Sequence, residues 1–163
     1  MRTAALCSLV LLAFLQSSTL LRIPLLGVTP DLVFLGVVAW TIVRGLREGA
    51  IAAFTGGLTL DLLSPGWLGS HALALLLVAA LVAVVTAPLH RGNLLFPVLT
   101  ALLGTIGYHL LLMALTGLLG RSGGLLALRV VLPLALVHGA LMPLAYAASE
   151  GLDRRIRPRM RFG

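Results

Sequence analysis

The sequence lacks most of what a water-soluble surface is made of. It contains no lysine, and only 10% of its 163 residues are charged, against about 25% in an ordinary soluble domain. With 60% hydrophobic residues, there is too little polar material to coat a globule in water. Cysteine is scarce too: Cys7 stands alone, which excludes an internal disulfide framework and a thiolate metal site. No set of histidine, cysteine and carboxylate has metal-ligand spacing, so neither a metal nor another cofactor is expected. A nucleophile elbow, a Walker loop, an HExxH helix and paired catalytic carboxylates are all missing. The glycine-rich runs fall in apolar segments or a short loop rather than after a strand. Hydrolysis and phosphoryl transfer are thereby disfavoured, and the chain is not expected to be an enzyme.

Long apolar runs are what the chain has in abundance. A hydrocarbon core of roughly 30 Å takes about 20 helical residues per crossing, and six segments are read at 4–21, 25–43, 49–63, 72–89, 94–119 and 130–148. Gly, Pro, Ser or charge marks each short connector. All six are expected to be helices, because open strands leave backbone groups unpaired in lipid and the alternation of barrel strands is missing. The run after Met1-Arg2 resembles a secretory signal. Its apolar stretch resumes at Leu20 and Leu21 with no A-x-A site, however, so it is read as an uncleaved first helix.

Arginine sets the orientation. With the N-terminus inside, Arg2, Arg44, Arg47, Arg91 and five tail arginines make nine on the inner side, against Arg22, Arg121 and Arg129 outside. Residues 1–149 then form one six-helix transmembrane domain and 150–163 a basic cytoplasmic tail. The tail arginines, Arg154, Arg155, Arg157, Arg159 and Arg161, sit beside a hydrophobic helix without interleaved aromatics. That pattern suits anionic lipid head groups and not nucleic acid.

A few polar residues stand out against this background. In the third span Gly49, Ala53 and Gly57 recur every four residues and share a helix face with Asp61. Such a face lets another helix approach closely, inside the chain or from a partner. Asp61 falls in the last turn, where the macrodipole disfavours a carboxylate. It therefore needs partners, and the Ser64-Pro65-Gly66 turn, Ser70 or His71 are within reach. For Asp31 the expectation is Thr29 as N-cap, Pro30 as first helical residue and Asp31 in the first turn. Both aspartates are assigned to the outer half, with Arg22, Arg129 and His71 as neighbours. His109 and His138 fall near the middle of the fifth and sixth spans, where an ionisable group is costly. They are read as neutral structural residues that touch each other or bond a carbonyl or hydroxyl of a neighbour, with no carboxylate at their depth. In the last span Ala135, Gly139, Pro143 and Ala147 share a stripe, and Pro143 is expected to kink it.

These residues resemble the MreD family, the small membrane subunit of the bacterial rod-shape system. The carriers are Pro30-Asp31-Leu32, Gly49 with Gly57, Asp61-Leu62-Leu63-Ser64, Leu68-Gly69 with Ala72-Leu73, and Gly139 with Pro143 ahead of a basic tail. The family prefers an amide before that glycine, where this chain has His138. The resemblance implies an all-α bacterial inner-membrane protein of six transmembrane helices with both termini inside and short loops, its fold resembling the substrate-binding component of energy-coupling-factor transporters. It also implies a noncatalytic scaffold of peptidoglycan synthesis in cell elongation, binding MreC and working with RodA, its transpeptidase partner and MreB. The rival from another class is the substrate-binding membrane component of a vitamin-type transporter. Two Trp, two Tyr and five Phe are a thin supply for gripping a flat solute.

Overall fold

The computed structural model describes residues 11, 13, 14, 16, 28–64, 67–87, 95–115 and 124–156, the side chains of 124–128 and 156 excepted. Among them are five helices: α1 (Leu32–Arg44), α2 (Leu46–Leu63), α3 (Ser70–Thr86), α4 (Leu95–Leu115) and α5 (Gly124–Ile156). Leu11, Ala13, Phe14 and Gln16 are helical as well, and the rest of the expected first span lies outside the described residues.

Helix α1 is the hub, with α2, α3, α4 and α5 all packed on it. Its residues Val33, Phe34, Leu35, Val37, Val38, Ala39, Trp40 and Thr41 are all buried, as suits a helix that is apolar on every side. The other helices turn small or β-branched residues inward, such as Ala52, Ala53, Ala74, Val78 and Ala101. Large leucines such as Leu77, Leu81, Leu99, Leu103 and Leu136 point outward. An apolar exterior of that extent is foreign to a monomeric soluble protein. Helix α4 and residues Arg129–Arg155 of α5 are each long and apolar enough to cross a membrane. Five threonine hydroxyls are satisfied without water: Thr41, Thr59, Thr86, Thr100 and Thr105 each donate to the carbonyl four residues back.

Several boundaries differ from those read in the sequence. The 44–48 connector shrinks to Gly45, whose φ of 81° is open to glycine at no steric cost. Its N–H donates to the Thr41 carbonyl at 2.7 Å and its carbonyl accepts from Gly49 N–H at 3.0 Å, so one residue ends α1 and starts α2. The last helix starts at Gly124 and runs through Pro143 to Ile156, so residues 150–156 are helix where a tail was expected. Charge suggested a boundary there, but charge does not end a helix whose side chains find partners. Glu150 pairs with Arg154 one turn on, at 3.2 Å, and Asp153 pairs with Arg44 of α1. Leu152 meanwhile packs against the core. The Arg44–Asp153 and Asp31–His138 contacts also fix α1 and α5 as parallel.

Candidate functional site

The polar side chains gather at two helix starts. Helix α1 has 13 residues, about 20 Å of rise, so it begins inside the bundle rather than at its rim. The first N–H groups of a helix have no partner within it, and in lipid no water supplies one. Side chains from three parts of the chain do. Asp31 is the N-cap, in extended conformation, and its Oδ1 accepts from Phe34 N–H at 2.9 Å. Gln16 Oε1 accepts from Leu32 N–H at 2.8 Å and Val33 N–H at 3.2 Å, while its amide donates to Asp31 Oδ1 at 3.1 Å. The Asp31 N–H donates to Nε2 of His138 on α5 at 2.8 Å.

The directions of these bonds determine the state of His138. Nε2 accepts, so it carries no proton. Thr105 Oγ1 donates to the Ala101 carbonyl at 2.6 Å and therefore accepts from His138 Nδ1–H at 2.8 Å. His138 is thus neutral with its proton on Nδ1, fully buried and stacked on the Phe34 ring with centroids 5.2 Å apart. His109 donates from Nδ1 to the Thr105 carbonyl at 2.9 Å, so the two histidines meet through one threonine. The Tyr108 hydroxyl is buried beside the Asp31 carboxylate and makes no hydrogen bond of ordinary geometry.

The second cluster starts α3. Its N-cap is Gly69, at φ 97°, which has no side chain to offer. Asp61 in the last turn of α2 takes over that role from outside the helix. Oδ1 accepts from His71 N–H at 3.0 Å, His71 Nδ1–H at 2.8 Å and Ser70 hydroxyl at 3.3 Å, and Oδ2 accepts from Ala72 N–H at 3.1 Å. The α2 dipole disfavours this carboxylate, but the α3 start points free N–H groups at it. Close approach makes this reach possible. A Cβ on Gly57 would lie 2.7 Å from Ala72 N and 2.9 Å from the His71 carbonyl carbon, so two backbones meet there. Gly49 is occupied in the same sense by the Thr41 side chain of α1, Ala53 is fully buried, and a Cβ on Gly139 would meet Leu102 of α4 at 3.0 Å. The glycine faces are filled from within the chain.

A profile of the family described as rod shape-determining protein MreD matches residues 1–146. The chain belongs to the MreD family. No curated protein and no solved structure matches it. The family ties this MreD chain to the determination of cell shape and to the membrane.

Against that identity, the structure redraws part of the site expected from sequence. Thr29 and Pro30 do not cap the MreD helix α1; Asp31 does, because its N–H is held by His138 and its carboxylate by Gln16. Asp31 therefore lies at the depth of His138, where no carboxylate was expected. Of the neighbours expected for it, Arg129 is exposed and His71 belongs to Asp61, while Arg22 lies outside the described residues. Ser64 closes α2 in extended conformation, and the groups that hold Asp61 come from α3. On the last stripe Ala135 and Gly139 are buried, Pro143 is half-buried and Ala147 is exposed. Arg154 and Arg155 are exposed on the end of α5; Arg157, Arg159 and Arg161 lie outside the described residues, as does Cys7. Sequence reasoning missed Gln16, Thr105, Tyr108 and the Arg44–Asp153 pair. For Gln16 there was a signal: it is the one glutamine in the sequence, and it sits in an apolar run.

Proposed function

We propose that this MreD chain is a noncatalytic six-span scaffold of the bacterial cell-elongation complex, with both termini in the cytoplasm, which binds MreC through its transmembrane helices. RodA, its transpeptidase partner and MreB are the further components it would serve. The observation that carries the reading is the sealed start of α1. A helix that begins within a membrane is where a carrier would hold a solute, on free N–H groups at the positive end of the dipole. Here Gln16, Asp31 and His138 take those groups, which supports a packed frame over a binding cavity. The glycine faces that knit α1 to α2 and α2 to α3 make the frame rigid. Its leucine-covered outside, notably on α4 and α5, remains for lipid and for a partner's membrane helix.

The test is capture of the tagged full chain from native membranes in mild detergent. The scaffold reading expects MreC in the eluate. Recovery of an ATPase transport module in its place would establish the vitamin-carrier alternative, and recovery of neither would refute the MreC assignment.

A further inference from the structure

We propose that residues 67–69, which lead into α3, are a lipid anchor, in which Trp67 and Leu68 enter the headgroup boundary of the bilayer at the end of the bundle opposite Gly45. This rests on the reading that the chain is embedded in a membrane. From Leu62 to Ser70 the sequence carries no charged side chain. Trp67 is 79% exposed, Leu68 71% and Leu62 68%, so three large apolar groups stand uncovered at one end of the molecule.

The turn holds them in a set position. The Trp67 carbonyl accepts from Ser70 Oγ at 2.9 Å and Ser70 N–H at 3.2 Å, and Ser70 Oγ lies 3.3 Å from Asp61. Gly69 turns the chain into α3, and its carbonyl accepts from Leu73 N–H at 2.9 Å. Asp61, Ser70 and the Trp67 carbonyl are thus spent on one another and on the start of α3, and Trp67 and Leu68 offer apolar surface and an indole N–H.

Depth selects lipid as the occupant. Helix α2 has 18 residues, a rise of about 27 Å, and its other end is flanked by Arg44, Arg47 and Glu48 at the Gly45 turn. With that charged end at one face, the Trp67 turn comes to the opposite edge of a hydrocarbon core roughly 30 Å thick. Trp collects at that edge because its ring body is apolar and its N–H finds the wet headgroup layer. A docking protein would read polar groups as well, and Asp61, Ser70 and the Trp67 carbonyl are already bonded to one another or to the start of α3.

The sequence contains two tryptophans, and Trp40 is buried under the Arg44 guanidinium, 5.2 Å from the ring centroid. The Trp40→Phe chain therefore reports Trp67 alone, and the difference between the parent and Trp67→Phe reports it again should the first variant fold poorly. The full chain is reconstituted in phosphatidylethanolamine–phosphatidylglycerol vesicles whose acyl chains carry bromine either near the carbonyl end or near the terminal methyl. The expected result is emission quenched several-fold more by shallow than by deep bromine and little touched by aqueous acrylamide. Strong acrylamide quenching would place the turn in water, and quenching by neither would place it under protein; each overturns the proposal. Alkaline carbonate extraction of the same vesicles separates the two levels. A retained chain with unquenched Trp67 overturns the anchor alone, whereas a chain stripped from the vesicles overturns the membrane reading with it.

Discussion

The backbone N–H of Asp31 donates to Nε2 of His138 at 2.8 Å, across 107 residues of sequence. That bond ties the start of α1 to the middle of α5 and keeps a neutral histidine where an ionised one would face a donor with a second donor. An unmade bond to a buried backbone N–H costs about 1–3 kcal/mol. His138→Ala is expected to destabilise the chain by that order, because the Asp31 N–H and the Thr105 hydroxyl both lose a partner. His138→Gln keeps an acceptor and a donor and is expected to recover part of the loss. Thermal unfolding of the detergent-solubilised chain measures both, and an alanine variant as stable as the parent would remove His138 from the framework.

Asp61 serves α3 in place of an absent N-cap side chain. Asp61→Ala strands the His71 and Ala72 backbone N–H groups and removes the acceptor of His71 Nδ1–H, and is expected to cost about 2–3 kcal/mol, the upper part of the range for bonds to a charged group. Asp61→Asn can still accept and should fall between Ala and the parent. Denaturant titration gives the ranking. If both variants fold, bind MreC and sustain rod growth like the parent, Asp61 has no role in the complex.

Two glycines make a matched pair of opposite sign. At Gly57 a Cβ would fall against the Ala72 backbone, and no rotamer change can clear backbone atoms, so Gly57→Ala is expected to destabilise and Gly57→Leu to disrupt the α2–α3 contact. At Gly107 of α4 nothing lies within 4 Å, so Gly107→Ala is expected to be neutral or to stabilise by about 0.5–1 kcal/mol through helix propensity. Melting temperatures of the two alanine variants, compared side by side, are the check; equal effects would mean that α2 and α3 are not in contact as described.

The Arg44–Asp153 pair holds the end of α5 to α1. Arg44→Gln and Asp153→Asn are each expected to cost on the order of 1 kcal/mol, the usual scale for an ion pair still reached by solvent. The double variant should cost less than the sum of the two, since the second change removes nothing the first left intact. A double-mutant cycle measured by unfolding in detergent reads the coupling directly, and strict additivity would show that the two charges do not interact.

The five tail arginines are each worth roughly 1 kcal/mol near an anionic leaflet. Their replacement by Gln is expected to weaken retention of the C-terminus inside. With Cys7→Ser as background, a cysteine at residue 160 is expected to resist impermeant thiol reagents in intact cells. Labelling from outside in the otherwise unchanged chain would invert the proposed topology.

What the sequence determined by itself are the properties carried by composition and by short periods. Apolar content announces the membrane, runs of helix-forming residues announce the helices, and the four-residue spacing puts Gly49, Ala53, Gly57 and Asp61 on one face. Even Asp61's need for partners is legible, since a carboxylate in a last helical turn is disfavoured there whatever surrounds it. The depth of Asp31 is not legible. It depends on α1 starting inside the bundle, which requires acceptors from Gln16 and His138, 15 and 107 residues away. No local pattern encodes such distances, because hydrogen bonds between helices are set by how the helices pack and not by the spacing within any one of them. The same holds for the length of α5: arginine and aspartate next to one another read as a tail until packing brings Arg44 alongside Asp153, and only the tertiary structure puts them side by side.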